Sequence, residues 1–346
     1  MSEAKIRQLD ANLQVINSGD GAILASPGLQ GRILCTLGGE LLHKLDYELA
    51  QNPSPTDFNN LGGNSLWPAP EGGPFAYNYP PEGEWYVQDD INRTPYKVES
   101  SDDKQITMTR DVALLNRKGV TVNMQMYRKI EPVCTCSFKE AYGVQGVAYK
   151  TLERFDMRGE YTMDEALIAA WSLEQFYLTP KAVSFGIFDG TEASESCLNV
   201  DFYGDPRPNL SYDKNVFAFR LGGENRLQIA VHQAPKPVWL GAYLPERELL
   251  LLRRNLMVSD GKYFDIADND QPRGPFTTED CYSVFNGSEQ LKFFELETIA
   301  PMSVSADGKV LGSTLGSETY CFRGSFEQIK NLIINHLGVD SIPGIF

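Results

Sequence analysis

The sequence predicts an all-β protein: one large antiparallel β-sandwich domain over residues 1–346, with a short C-terminal helix. Three observations carry this expectation. Short runs alternate apolar and polar residues, turn residues recur about every 8–12 positions, and helical amphipathic spacing is scarce. A chain with 42% hydrophobic and 11% aromatic residues can also bury a sizeable core.

The elements follow in chain order. "GAILASPGLQGRILCTLGG" breaks into short strands ended by glycine. "YKVESSDDKQITMTRDVALLNRKGVTVNMQMYRKIEP" reads as strand, acidic turn, strand, a turn at Arg117-Lys118-Gly119, and a further strand. In that last strand Val120, Val122, Met124 and Met126 share one face, opposite Thr121, Asn123, Gln125 and Tyr127, as in a half-buried antiparallel strand. "YTMDEALIAAW" either opens a helical turn, with Thr162 and Glu165 at capping-box spacing, or is a loop feeding a strand through "AAWSLEQFYL". "NVFAFRLGGENRLQIAVHQ" reads as a hairpin around Gly222-Gly223-Glu224-Asn225, and "QLKFFELETIAPM" as a strand ended by Pro301. The clear helix begins at Ser325, which forms a capping-box pattern with Gln328. Phe326, Ile329, Leu332, Ile333 and Leu337 give it an apolar face, Gly338 a stop, and His336 is expected to pack beside that face.

Composition narrows the function. The formal charge is −15 and no run of Lys or Arg exceeds a pair, which disfavours nucleic acid and anionic membranes as partners. The N-terminal segment lacks the apolar core of a secretory signal and no run is long enough to span a bilayer, so the expected location is cytoplasmic. Six cysteines are scattered, and the Cys134-Thr-Cys136 pair has no second pair nearby to complete a zinc site; small buried thiols are expected. With three histidines and no phosphate-loop, dinucleotide or metalloprotease motif, neither a metal nor a cofactor is expected.

What remains is carboxylates, a histidine, and aromatics beside amides, the parts of a carbohydrate site. "LGGNSLWPAPEGGPFAYNYPP", residues 61–81, is a stiff, sharply bent stretch. It is either a surface loop with Trp67 tucked beneath it or a ligand-binding rim that sets an aromatic platform beside Glu71. In "FFELETIAPM" Glu295, Glu297 and Ile299 share one strand face, which is either solvated or lines a cleft. In a cleft, a desolvated carboxyl would have a raised pKa suited to proton transfer. Arg93, Arg110, Gln175 and Lys262 are further polar candidates, while Trp85 and Trp239 belong to core or rim.

"LETIAPM" followed by "VLGSTLGSETYCFRGSF" resembles the end of the galactose mutarotase (aldose 1-epimerase) superfamily, in which a catalytic glutamate lies between Leu and Thr on a late strand. A Gly-Glu-x-Tyr-like turn then precedes a final strand, matched here by Gly316-Ser317-Glu318-Thr319-Tyr320. Gly62-Gly63 with Trp67-Pro68 is similar to a loop of the sugar-phosphate epimerase branch, and "GGNSLWPAPEGG" is closer still to a bacterial branch with a Gly-Gly, Trp-Pro and Pro-Glu loop. The resemblance implies the mutarotase supersandwich, a sugar or sugar derivative as partner, and metal-free chemistry. A glutamate takes the proton from the anomeric hydroxyl while a histidine protonates the ring oxygen. Glu297 matches the base, with Glu295 its less important neighbour. Where the histidine is expected the chain has Glu174-Gln175, which leaves His232 as the candidate acid. Trp67 would form a wall, with Asn64 and Glu71 reaching toward the ligand and Gln175 hydrogen-bonding it. Two alternatives stay open: a non-catalytic sugar-binding module, and a polysaccharide lyase or glycoside hydrolase relative.

Overall fold

The computed structural model describes residues 3–78, 84–257, 261–267 and 275–346. Two antiparallel sheets, of ten and eleven strands among these residues, pack face to face, as the sequence predicts. The first sheet runs in space through Gln14–Ser18, Gly21–Ser26, Arg32–Leu37, Asn64–Ala69, Ala169–Tyr177, Phe293–Ile299, Asp280–Asn286, Leu227–His232 and Leu198–Asn199. The second has the long strands Thr121–Pro132, Gln145–Met157 and Val310–Arg323 side by side. Within Thr121–Pro132, Val122, Met124, Met126 and Ile130 are buried between the sheets while alternate residues face outward, the expected period of two.

The C-terminal helix, Phe326–Leu332, has the full capping box of Ser325 and Gln328. It continues as a wider turn over Ile333–Leu337 and stops at Gly338, which takes φ 72°. Ile329, Leu332 and Ile333 bury against Val144, Tyr320 and Phe322 on the outside of the second sheet. His336 packs edge-on against Phe138 at 4.7 Å.

Four local expectations are corrected. The segment around Gly222-Gly223 is not a hairpin: Val216–Arg220 belongs to the second sheet and Leu227–His232 to the first. Asn286 holds the crossover by bonding both Gly222 N and Gly222 O at 2.9 Å, which local turn chemistry does not reveal. Gly316-Ser317-Glu318-Thr319-Tyr320 is not a turn but the middle of the 14-residue strand Val310–Arg323, paired on both edges. Trp67 lies within the strand Asn64–Ala69, and residues 79–81 of that stretch lie outside the described residues. Gly62 turns the chain into this strand at φ 95°, where a Cβ would sit 2.1 Å from Lys44 O. Finally, Cys134 and Cys136 are exposed rather than buried, because Cys136 opens a short helix, Cys136–Tyr142, outside the sheets. The "YTMDEALIAAW" alternative resolves to a turn: Glu165 Oε2 accepts from Thr162 N at 2.8 Å, and the strand begins at Ala169.

Candidate functional site

The strands Asn64–Ala69, Ala169–Tyr177, Phe293–Ile299, Asp280–Asn286 and Leu227–His232 lie side by side, and the pleat sends alternate residues to opposite faces. Toward the second sheet point Asn64, Ser172, Glu174 and Leu296. Toward the outer face point Ser65 and Trp67, then Trp171, Leu173 and Gln175, then Glu295 and Glu297. The register sets Leu173 and Ser283 on either side of Glu297, and Gln175 and Phe285 on either side of Glu295. These residues floor a cavity of about 390 Å³, within the range of small-molecule sites.

Aromatic side chains form its walls. Phe58 stands edge-on to both Trp67, at 5.6 Å, and Trp85, at 5.7 Å. Opposite them lie Phe285 and Phe293, and Arg226 covers the face of Tyr203 at 3.8 Å. Trp85 Nε1 donates to Glu71 Oε1 at 3.3 Å, so Glu71 is held on the same wall. Gln228 lies across the floor, donating to Ser283 Oγ at 2.9 Å and accepting from Tyr203 at 2.6 Å.

Glu295 and Glu297 face the cavity rather than bulk solvent, with 7% and 0% exposure. Gln175 Nε2 donates to Glu295 Oε1 at 2.7 Å, and Trp171 Nε1 to Glu297 Oε2 at 3.0 Å. Burial, then the neighbouring Glu295 charge, push Glu297 well above the usual carboxylate range. Burial raises Glu295 as well, but Gln175 and the charges of Lys44 and Arg32 offset part of that rise. The two acids act on each other directly: Glu295 adds to the rise of Glu297, while the bond from Glu297 opposes the rise of Glu295.

Behind the floor lies a fully buried polar layer. Burial acts to raise Glu174, but the charge of Arg253 and the bond to His43 outweigh it and bring the carboxyl to about 2. Thr319 Oγ1 donates to Glu174 at 2.8 Å and Tyr149 bonds it too. Arg253 also donates to Ser172 Oγ at 2.7 Å and to Leu296 O at 2.8 Å, which ties this layer to the strands carrying Trp171 and Glu297. Arg128 pairs with Glu153 and reaches Asn64 Oδ1.

Of the residues singled out from sequence, Trp67, Glu71, Trp85, Gln175, Glu295 and Glu297 share the cavity. Asn64 does not, because it is three positions from Trp67 and the pleat turns it to the inner face. Nor does His232, four residues or about 13 Å along its strand from Gln228. It bonds Thr278 O at 2.5 Å, stands 3.7 Å from Asp280 Oδ1, and lines a separate depression with Thr191 and Cys197. Arg93 pairs with Asp89, Arg110 lies over the Tyr96 ring, and Lys262 sits over Phe276, all away from this cavity. Trp171 escaped notice, although counting back in twos from Gln175 reaches it. Arg32, Tyr203 and Arg226 carried no sequence signal. Among the described residues, no group of three or more His, Cys, Asp or Glu side chains is placed to hold a metal, and no helix is long and apolar enough to cross a membrane.

A family profile described as "Family of unknown function (DUF6786)" matches residues 4–343. No curated protein matches the chain in sequence. Among solved structures, the Slr1438 protein from Synechocystis sp. PCC 6803 is similar at 12% identity and TM-score 0.52, over 90% of this chain and 94% of that one. A putative aldose 1-epimerase (b2544) from Escherichia coli K12 is 11% identical, with TM-score 0.48 over 90% and 98% of the two chains. A galactose mutarotase-like protein from Lactobacillus casei ATCC 334 is 9% identical, with TM-score 0.48 over 90% and 99%. At 12% identity, the likeness to the Slr1438 protein is one of fold alone.

Proposed function

We propose that this chain, which belongs to the DUF6786 family of unknown function, binds a sugar ring in the outer-face cavity and interconverts its anomers through the Glu295–Glu297 pair. The observation that carries this reading is the buried carboxyl pair on the floor of an aromatic-walled cavity. Aromatic faces stack on the apolar face of a sugar, while Gln175 and Gln228 offer amide groups for its hydroxyls. In this reading Glu297, the more strongly raised of the two, is the proton donor and Glu295 the acceptor.

In the proposed reaction Glu297 delivers its proton to the ring oxygen as Glu295 takes the proton of the anomeric hydroxyl. The bond between C1 and the ring oxygen breaks, leaving an open-chain aldehyde and a ring-position hydroxyl. Rotation about the C1–C2 bond and the reverse proton transfers close the ring on the other face of C1. This replaces the Glu297–His232 pairing expected from sequence, since His232 lies outside the cavity. Saturation-transfer NMR against a monosaccharide panel tests binding, and anomer-exchange NMR tests turnover; the absence of both defeats the reading.

A second reading, binding without turnover, is favoured by one observation: among the described residues no histidine lines the cavity. Binding with exchange no faster than in buffer selects it.

A further inference from the structure

We infer that the natural ligand is a sugar acid whose carboxylate seats against Arg32. This deepens the proposed sugar binding and rests on it. Arg32, the first residue of its strand, lines the cavity and is 3% exposed. Nη2 donates to Gln30 Oε1 at 2.8 Å, and Nε is buried without an acceptor. Among the described residues Arg32 makes no ion pair. Burial, and then repulsion by Arg128 and Arg110, lower its pKa only to about 9, so it remains a cation at neutral pH. Its two neighbours have other outlets. Arg128 pairs with Glu153 at 2.5 Å, and Arg110 lies over Tyr96 and donates to Thr94 O at 2.9 Å.

Lys44 adds a second cation at this end of the cavity. Its Nζ donates to Asn60 O at 2.6 Å and stands 5.2 Å from the Phe293 ring, and both of those residues line the cavity. Arg32 and Lys44 both act on Glu295. Arg32, with no ion pair among the described residues and an Nε without an acceptor, lacks a negative charge beside it in the cavity. A carboxylate provides it, and a planar guanidinium accepts a carboxylate through two parallel hydrogen bonds. A phosphate monoester, carrying about −1.5 to −2 at neutral pH, brings more negative charge than one guanidinium neutralises.

The test is calorimetric titration of the full chain at pH 7 with glucuronate, galacturonate, their neutral parents glucose and galactose, glucuronamide, and glucose 6-phosphate. A uronate is expected to bind about 10- to 100-fold more tightly than its neutral parent, the range of a charge-assisted pair. Glucuronamide, equal in shape but uncharged, should lose that preference, as should Arg32→Gln, while Arg32→Lys keeps part of it. Since Arg32→Gln alters a buried charge and can fail to fold, the glucuronamide comparison in the unaltered protein decides. Neutral sugars or glucuronamide binding as well as the uronates overturns the inference and leaves sugar binding standing. Preference for glucose 6-phosphate also overturns it. No binding by any of the six defeats the sugar-binding reading as well.

Discussion

Trp171 and Glu297 stand on adjacent strands of the first sheet, and the indole Nε1 donates to Glu297 Oε2 at 3.0 Å. The bond fixes the carboxyl and favours its charged form against burial. Trp171→Phe keeps most of the ring volume and removes the donor. A hydrogen bond to a charged group is worth about 1.5–3 kcal/mol, and about 1.4 kcal/mol corresponds to one pKa unit. The Glu297 titration, followed by carbon-13 NMR, should therefore move up by about one unit or more. An unmoved titration would show that the bond does not govern this carboxyl.

If the pair exchanges anomers, Glu297→Gln should lower the rate by about 10²–10⁴, the usual loss on removing a general acid or base. Glu295→Gln should cost a comparable factor, because the two buried acids are coupled and in the proposed reaction neither works alone. The sequence reading ranks Glu295 well below Glu297. Anomer-exchange NMR on both variants decides, and a near-normal Glu295→Gln rate would restore that ranking.

Asp280 gives a stability effect with a defined sign. Burial and the nearby Asp265 raise its pKa to about 8, against about 3.9 in an unfolded chain. The folded state thus holds the proton more tightly. Its stabilising contribution is complete below about pH 4 and declines as pH rises toward 8. Asp280→Asn removes this dependence, so thermal unfolding should show a gain over the parent at pH 9 and none at pH 4. A variant that loses stability selectively at pH 9 would contradict the assignment.

Arg128 and Glu153 are both fully buried and paired at 2.5 Å. Glu153→Gln leaves an uncompensated cation between the sheets and should cost about 3–5 kcal/mol in urea unfolding followed by circular dichroism. A loss below about 1 kcal/mol would mean that Asn64 and the Gly31 carbonyl suffice to hold the guanidinium.

The exposed sulfurs of Cys134 and Cys136 lie 2.7 Å apart, and contacts from Cys136 lower the Cys134 pKa. Brief treatment with iodoacetamide at about pH 7.5, roughly one unit below the pKa of a free thiol, should label Cys134 first. The buried Cys35, Cys197, Cys281 and Cys321 should stay unmodified in the folded protein. Peptide mass spectrometry reads the order, and early labelling of a buried cysteine would contradict it.

Much of the sandwich was legible from local rules. The alternation of Val122, Met124 and Met126, the Ser325–Gln328 cap and the Gly338 stop depend on residues within one turn or strand, so sequence spacing determined them. The same period of two placed Glu295 and Glu297 on one face. It also held the means to separate Asn64 from Trp67 and to find Trp171. Tertiary structure alone decided that this face lines a cavity, that the strands flanking Gly222-Gly223 enter different sheets, and that His232 lies elsewhere while Arg32 comes beside Glu295. The physical reason is range. A strand's pleat is set by its own backbone, whereas desolvation, charge coupling and the order of strands arise between residues such as Arg32 and Glu295, which only folding brings together.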